Sequence, residues 1–250
     1  MQFLAFLSLD QPIFAKQIKI VPKLLHIDTT GESALIGLSI DNEIIAELSN
    51  TEANQHAGFV QKAIQTICTK QSFDLNDLDA IVVTLGPGSY TGMRVGLSSA
   101  KGIAYALDKP LIGLSSLALL AKAGKKQVLN SMDQPYSLFS MIDARRMEVF
   151  GALYDQEENA LTEEQAIILD TDYLKNLILK GTLYCIGSGA AKTRQLIEDD
   201  RIQILTSSYS IAEMLELALD RWHQQKFEDL AYVGPTYIKE VYTIPSKQTR

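Results

Sequence analysis

The strongest constraint on the fold is a glycine-rich stretch that follows an apolar run. Residues 79–84, Asp-Ala-Ile-Val-Val-Thr, form the apolar, β-branched pattern of a buried strand. Residues 85–96, Leu-Gly-Pro-Gly-Ser-Tyr-Thr-Gly-Met-Arg-Val-Gly, then lead into a helical pattern that ends near residue 107. The sequence therefore predicts a strand, a tight turn at 86–89 and a helix. Such a turn is suited to bind an anion at the helix N-terminus, although a turn without a ligand accounts for the glycines too.

The predicted helix carries a stripe of small residues. Gly92, Gly96, Ala100 and Ala104 recur every four positions, so they share one face. Side chains this small allow another backbone to approach closely. The stripe therefore packs either on the core of this chain or on a second protein chain, and the sequence leaves both alternatives open.

Composition limits the classes of function. With 250 residues, 46% of them hydrophobic, the chain has enough apolar surface for one large domain or two compact lobes. A net charge of −7 gives no broad basic surface for holding a phosphate backbone, so work on nucleic acid requires a basic partner. Two distant cysteines, Cys68 and Cys185, exclude a disulfide framework and a zinc cluster and fit a reducing compartment.

Changes of pattern along the chain suggest its domains. Residues 1–22 are apolar but are interrupted by Asp10 and too short to span a bilayer, so we expect an extension outside the fold rather than a signal peptide. Residues 23–123 with 210–225 predict a first lobe, 124–209 a second lobe and 226–250 a C-terminal tail. We expect no membrane contact and a cytoplasmic location.

Both predicted lobes begin with strands and end with helices, which suggests a duplicated α/β architecture with a cleft. The first strand ends in an acidic and hydroxyl-bearing turn, Asp28-Thr29-Thr30, and a strand at 182–186 ends in a second glycine turn. In sugar kinases, actin and their relatives, turns of the first kind face nucleotide phosphates; ordinary turn chemistry explains the same residues. The candidate remnant of a nucleotide site comprises Asp28, Thr29, Thr30, Gly86, Gly88, Ser89, Gly187 and Gly189.

Four segments together resemble one family. They are Ile-Asp-Thr-Thr at 27–30, the glycine stretch at 86–96, Asp-Ala-Arg at 143–145 with Glu148 and Val149, and Pro-Thr-Tyr-Ile-Lys at 235–239. In this order, from about residue 24 to 239, they resemble the TsaB (YeaZ) family. The resemblance implies an α/β fold of the actin/hexokinase-like (ASKHA) type, with two lobes of mixed β-sheets flanked by helices.

The resemblance also implies a function in tRNA modification. TsaB-like proteins bind and support TsaD, which transfers a threonylcarbamoyl group to the adenosine beside the anticodon. The implied partners are TsaD in a heterodimer, the ATPase TsaE in a ternary complex, and tRNA only through the complex. The resemblance implies no cofactor, although a degenerate cleft leaves room for weak ATP or ADP binding.

The residues give no support for catalysis by this chain. TsaD-like proteins carry two histidines four positions apart that hold a metal ion, but Ser116 and Leu120 stand at the corresponding positions here. We therefore expect no metal and no catalytic residue. The alternative is a small-molecule kinase or a nucleotide-binding regulator of the same fold, for which Asp28 and Asp143 are the available acids.

Two predicted helical segments, residues 56–67 and 91–107, are the candidate partner surface. The family resemblance implies that paired helices of each subunit form a bundle, and the small-residue stripe gives an independent reason for close helix approach. Because the same face could pair with itself, we expect a homodimer when the chain is alone. The predicted interface residues are His56, Phe59, Ala63, Gly92, Gly96, Ala100, Ile103 and Ala104.

Overall fold

The computed structural model describes residues 21–52, 56–128, 135–179, 181–206 and 208–239. The described residues form two five-stranded mixed sheets flanked by helices, which confirms the predicted α/β, two-lobe architecture. The predicted N-terminal extension lies almost wholly outside the described residues. Among the described helices, none is long and apolar enough to cross a lipid bilayer.

The first sheet forms from the strands predicted in the first half of the chain. Its order is β3-β2-β1-β4-β5, with β1 antiparallel to β2 and parallel to β4. Asp41 and Asn42 form the hairpin turn that joins β2 and β3, and both residues have positive φ. The strands are β1 (Leu24–Asp28), β2 (Ala34–Ile40), β3 (Glu43–Asn50), β4 (Ala80–Gly86) and β5 (Leu111–Ser115).

The second sheet has the order β10-β9-β6-β7-β8. Strand β6 is antiparallel to β7 and parallel to β9. The short edge strand β8 was not predicted, and a 3-10 turn, Ala190–Gln195, follows the second glycine turn. The strands are β6 (Tyr136–Asp143), β7 (Glu148–Tyr154), β8 (Gln165–Ile168), β9 (Thr182–Ile186) and β10 (Ile202–Ile204).

Five α-helices in the described residues cover the two sheets: α1 (His56–Gln71), α2 (Tyr90–Leu107), α3 (Ser116–Val128), α4 (Thr171–Ile178) and α5 (Ile211–His223). Apolar residues of α1 and α2 form one core with one face of the first sheet, whereas α5 packs on its other face. Helix α4 shares a core with the outer face of the second sheet. The packing follows from strands whose alternate residues point to opposite faces.

Helix α3 connects the two halves of the molecule. Leu119 packs with the first sheet and α5, while Leu117 and Leu120 pack with the second sheet. The boundary expected between residues 123 and 124 falls inside this helix, which continues to Val128. Gly124 fits closely against Leu138, and Lys126 forms a 2.6 Å ion pair with Glu213, so tertiary contacts outweigh the low helix propensity of glycine.

Candidate functional site

The glycine-rich turn packs directly on the turn that follows β1. The Ser89 backbone N–H donates to the Thr30 carbonyl oxygen at 2.8 Å, and Thr29 Oγ1 donates to the Gly92 carbonyl oxygen at 2.6 Å. A Cβ atom at Gly92 would overlap the Thr29 carbonyl oxygen, and one at Gly88 would overlap that of Thr30. These glycines are therefore needed for close backbone approach within the chain.

The small-residue stripe of α2 faces the core of this chain. Ala100 and Ala104 have 0% exposure, and a Cβ atom at Gly96 would lie 2.5 Å from Thr29 Oγ1. Ala63 on α1 is also buried in the same core. The structure thus corrects the expected partner surface: a face covered by β1 and α1 is not free to contact a second chain. Phe59 and Ile103 are half-buried, and the side chain of His56 lies outside the described residues.

A buried network of hydroxyl groups surrounds Asp28. Its Oδ1 accepts hydrogen bonds from the Thr30 backbone N–H and Thr30 Oγ1, both at 2.7 Å. Thr30 Oγ1 lies 3.2 Å from Ser116 Oγ and 3.2 Å from Tyr209 Oη. Burial raises the pKa of Asp28, although the hydrogen bonds from Thr30 and Tyr209 oppose the shift. The carboxyl group is therefore enclosed by side chains from the turn after β1, from α3 and from the segment before α5.

Ser116 and Leu120, which the family resemblance places at the positions of metal-binding histidines, both contact the interior of this chain. Ser116 belongs to the buried hydroxyl network, and Leu120 packs in the core between α3 and the second sheet. No group of three or more His, Cys, Asp or Glu side chains in the described part of the chain could hold a metal ion. His26 is fully buried 2.9 Å from Ser39 Oγ, and burial lowers its pKa to about 3, so it is a neutral core residue.

The second glycine turn lies on the other sheet. Gly187 has φ +102° and no space for a Cβ atom beside the Met141 carbonyl oxygen, and the Gly189 N–H donates to that oxygen at 3.1 Å. Ser188 Oγ accepts a 3.0 Å hydrogen bond from the Asp143 N–H. The eight candidate nucleotide-site residues therefore form two groups: those around the Asp28 turn and Gly187 with Gly189, which pack on β6.

Charged side chains accompany the second turn. Lys192 Nζ donates to Asp143 Oδ1 and to the Glu148 carbonyl oxygen, both at 2.8 Å. The hydrogen bond from Lys192 holds the pKa of Asp143 below its usual value. Asp143 is exposed, so this ionised carboxylate is accessible but is already paired with a cation.

The C-terminal tail connects the two halves across these turns. The Thr236 N–H donates to the Leu85 carbonyl oxygen at 2.9 Å, and Lys239 Nζ lies 2.6 Å from the Glu148 carboxylate. Between these two contacts, Tyr237 Oη accepts a 2.7 Å hydrogen bond from Arg94 Nε. Sequence reasoning did not assign Arg94 or Tyr237 to a site, although both lie inside the segments that carried the family resemblance.

Two mixed β-sheets pack on helix α3, and in each sheet one strand ends in a glycine turn. This architecture is that of the actin/hexokinase-like class of proteins. The family model "TsaD: tRNA N6-adenosine threonylcarbamoyltransferase" matches residues 43–232. The TsaB protein of Bacillus subtilis is 33% identical over 181 residues, covering 70% of this chain and 75% of that protein. TsaB of Escherichia coli is 26% identical over 227 residues, covering 87% and 94%. The chain belongs to the TsaB (YeaZ) family of tRNA threonylcarbamoyladenosine biosynthesis proteins.

Structural comparison agrees on the fold. YeaZ from Pseudomonas aeruginosa superposes with a TM-score of 0.71 at 20% sequence identity, over 86% of this chain and 99% of that chain. The chain is also similar to the tRNA N6-adenosine threonylcarbamoyltransferase of Clostridium botulinum, with 40% identity over 101 residues, covering 36% of this chain and 30% of that enzyme. The family and the transferase thus share part of their sequence as well as a family model.

Proposed function

We propose that this chain is a non-catalytic subunit that binds TsaD and supports threonylcarbamoyl transfer to tRNA. Its family membership supports a role in threonylcarbamoyladenosine biosynthesis. The site supports the non-catalytic part, because Asp28 is enclosed by the chain's own hydroxyl groups and Leu120 occupies a metal-ligand position with a hydrocarbon side chain. In this proposal TsaE and tRNA join through the complex, and the chain forms a homodimer when TsaD is absent.

The proposal rests on exposed glycines on the outer face of α1 and α2. Gly58 on α1 and Gly102 on α2 are exposed, and nothing lies within 4 Å of a Cβ atom built at either position. A glycine inside a helix costs about 1 kcal/mol relative to alanine, so an unexplained helical glycine calls for a contact outside the chain. Ser98 and Ala106, each four positions from Gly102, extend this open face, and Tyr105 beside it is 84% exposed.

TsaD is the partner that fits this face. The TsaD family model covers both helices, so TsaD presents equivalent helices on a related fold. Two related chains can place equivalent helices against each other about a pseudo-twofold axis, and small residues at spacing four allow these helices to approach closely. The proposed partner surface therefore consists of the exposed residues around Gly58 and Gly102, and not of the buried stripe.

A large side chain at the centre of this face tests the proposal. A Cβ atom at Gly102 meets no other atom and the position is exposed, so we expect Gly102→Trp to keep a thermal midpoint close to that of the parent. In a pull-down the variant should lose TsaD, because overpacking a close interface breaks its contacts. Asn176→Trp on the exposed side of α4 is the matched control and should retain TsaD. A folded Gly102→Trp variant that binds TsaD with the parent's affinity would contradict the proposal.

A further inference from the structure

A stack of two tyrosines and one arginine lies at the start of α2. The Arg94 guanidinium carbon is 4.0 Å from the Tyr90 ring centre and 5.8 Å from that of Tyr237. The two ring centres are 5.2 Å apart, and the residues are 37% and 40% exposed. Arg94 donates its Nε–H to the Tyr237 hydroxyl oxygen, and no carboxylate among the described residues pairs with its remaining N–H donors. The stack thus offers exposed aromatic surface together with uncompensated positive charge.

The stack is continuous with a basic hairpin of the second sheet. Lys239, two residues after Tyr237, pairs with Glu148, whose N–H donates to the Arg145 carbonyl oxygen at 3.1 Å. Arg145 and Arg146 are exposed and have no ion pair in the described part of the chain. The two acids here are already neutralised, Asp143 by Lys192 and Glu148 by Lys239. A local excess of positive charge therefore lies on a protein whose net charge is −7.

We propose that this stacked basic surface, made of Tyr90, Arg94, Arg145, Arg146 and Tyr237, contacts tRNA in the complex with TsaD. Unpaired arginines bind phosphate groups, and exposed aromatic rings stack on bases that are not in a helix. An RNA with unpaired loop bases presents both chemical groups together, whereas an acidic protein surface presents only the charge. The inference rests on the proposed function, because the acidic chain alone has too few free cations to hold tRNA.

Removing the hairpin charges tests the electrostatic part. Arg145 and Arg146 have φ angles of +70° and +49°, a conformation that asparagine tolerates, so Arg145→Asn with Arg146→Asn keeps the backbone. The probe is unmodified tRNA, titrated by fluorescence anisotropy into the preformed complex with TsaD over a series of salt concentrations. We expect affinity for tRNA to fall at least about fivefold at low salt. The slope of log affinity against log salt should become shallower by about one to two.

The matched control removes two positive charges elsewhere. Lys175 on α4 and Lys226 after α5 are exposed, and Lys175→Asn with Lys226→Asn lowers the net charge by the same amount. This control should keep the parent's tRNA affinity and salt slope. An equal loss in the control and in the hairpin variant would show that only overall charge matters, and would overturn the proposed surface.

A second pair of variants tests stacking and is independent of the hairpin. Tyr90→Leu removes the aromatic face beside Arg94, and Tyr232→Leu on the tail removes another exposed ring that lies outside the surface. Because base stacking on an aromatic ring contributes about 1–3 kcal/mol, Tyr90→Leu should weaken tRNA binding at least about fivefold without changing the salt slope. Tyr232→Leu should leave binding unchanged.

TsaD affinity, measured for every variant, separates the possible failures. We expect every variant to bind TsaD with the affinity of the parent. Unchanged tRNA affinity in both the hairpin variant and Tyr90→Leu would overturn the tRNA surface and leave the proposed function standing. Loss of TsaD binding in these variants would instead assign the surface to a protein contact and overturn the RNA assignment. If the parent chain itself fails to bind TsaD, the proposed function fails and this inference fails with it.

Discussion

The two glycine turns occupy corresponding places in the two halves of the molecule but have opposite electrostatic character. The first packs on the turn that begins with Asp28, which is 1% exposed and hydrogen-bonded to hydroxyl groups. The second adjoins Asp143, which is exposed and paired with Lys192. Burial raises the pKa of the first carboxyl group, and the lysine lowers that of the second. The Asp28 turn is therefore part of the core, whereas the second glycine turn lies beside an accessible charge.

The difference arises from what covers each turn. Ser116 of α3 and Tyr209 before α5 fill the space above Asp28 with hydroxyl groups. Above the second turn, the tail contributes Lys239 and the 3-10 turn contributes Lys192. A fold with two related halves can thus bury one acidic turn in the core and leave the other accessible.

The largest expected effect comes from breaking the close contact between Gly92 of α2 and Thr29. Gly92→Ala places a Cβ atom on the Thr29 carbonyl oxygen, a backbone atom that cannot move aside without shifting β1. We expect the free energy of unfolding to fall by about 3 kcal/mol, because overpacking a close contact has this cost. In a chain of 250 residues that corresponds to a fall of roughly 6–12 °C in Tm, measured by thermal denaturation.

Gly102→Ala is the control for that variant. It makes the same chemical change in the same helix, but its Cβ atom meets no other atom of the chain. The free energy of unfolding should rise by about 0.5–1 kcal/mol, because alanine favours the helix. Equal effects of the two substitutions would show that Gly92 is not held against Thr29 in solution.

The sequence predicted the position of the first turn well but not its surroundings. The change from a strand pattern to a helical pattern located the turn correctly, because periodicity is a local property. The contacts that decide its role are distant in sequence: Thr29 and Gly92 are separated by 63 residues, and Thr30 and Tyr209 by 179. Spacing therefore showed that Gly92, Gly96 and the two alanines share a face, but it could not show that β1 covers this face.

The second half was harder to predict for a related reason. Strand β8 has only four residues, is half exposed and lies at an edge of the sheet, so it gives no apolar alternation. The residues Gly124, Lys125 and Lys126 have the composition of a helix terminus, but α3 continues through them because it packs between the two sheets. The tail that links both turns has no periodic pattern, and only the family resemblance drew attention to it.

An intermediate effect is expected from the hydroxyl network. Tyr209→Phe removes the hydroxyl that bonds Thr30 and Asp28, so two buried polar groups lose a partner. We expect a loss of about 1–2 kcal/mol in the free energy of unfolding, measured by urea denaturation. Tyr136→Phe is the matched control, because the Tyr136 hydroxyl is buried without a hydrogen-bond partner in the described structure. It should be neutral or slightly stabilising, and a similar loss in both variants would contradict the role given to Tyr209.

The smallest effect, and the sharpest test of the comparison, is a difference in pH dependence. In the folded state the pKa of Asp28 is raised, so the folded protein binds this proton more tightly than the unfolded chain does. Relative to Asp28→Asn, the parent should therefore lose stability as pH rises from the pKa of the unfolded chain, near 4, toward the higher folded value. The pKa of Asp143 is lowered by Lys192, so relative to Asp143→Asn the parent should lose stability as pH falls below about 4.

Urea denaturation of the parent and both variants between about pH 3 and 7 measures these two slopes. The Asp143 effect should stay below about 1 kcal/mol, because this carboxylate is exposed and solvent screens its ion pair. The sign of the slope distinguishes the two turns. Relative to the matching Asn variant, the stability of the parent should fall with rising pH for Asp28 and rise with rising pH for Asp143. Two slopes of the same sign would show that both acids are paired in the folded protein, and the first turn would then have to hold a cation that its hydroxyl network does not provide.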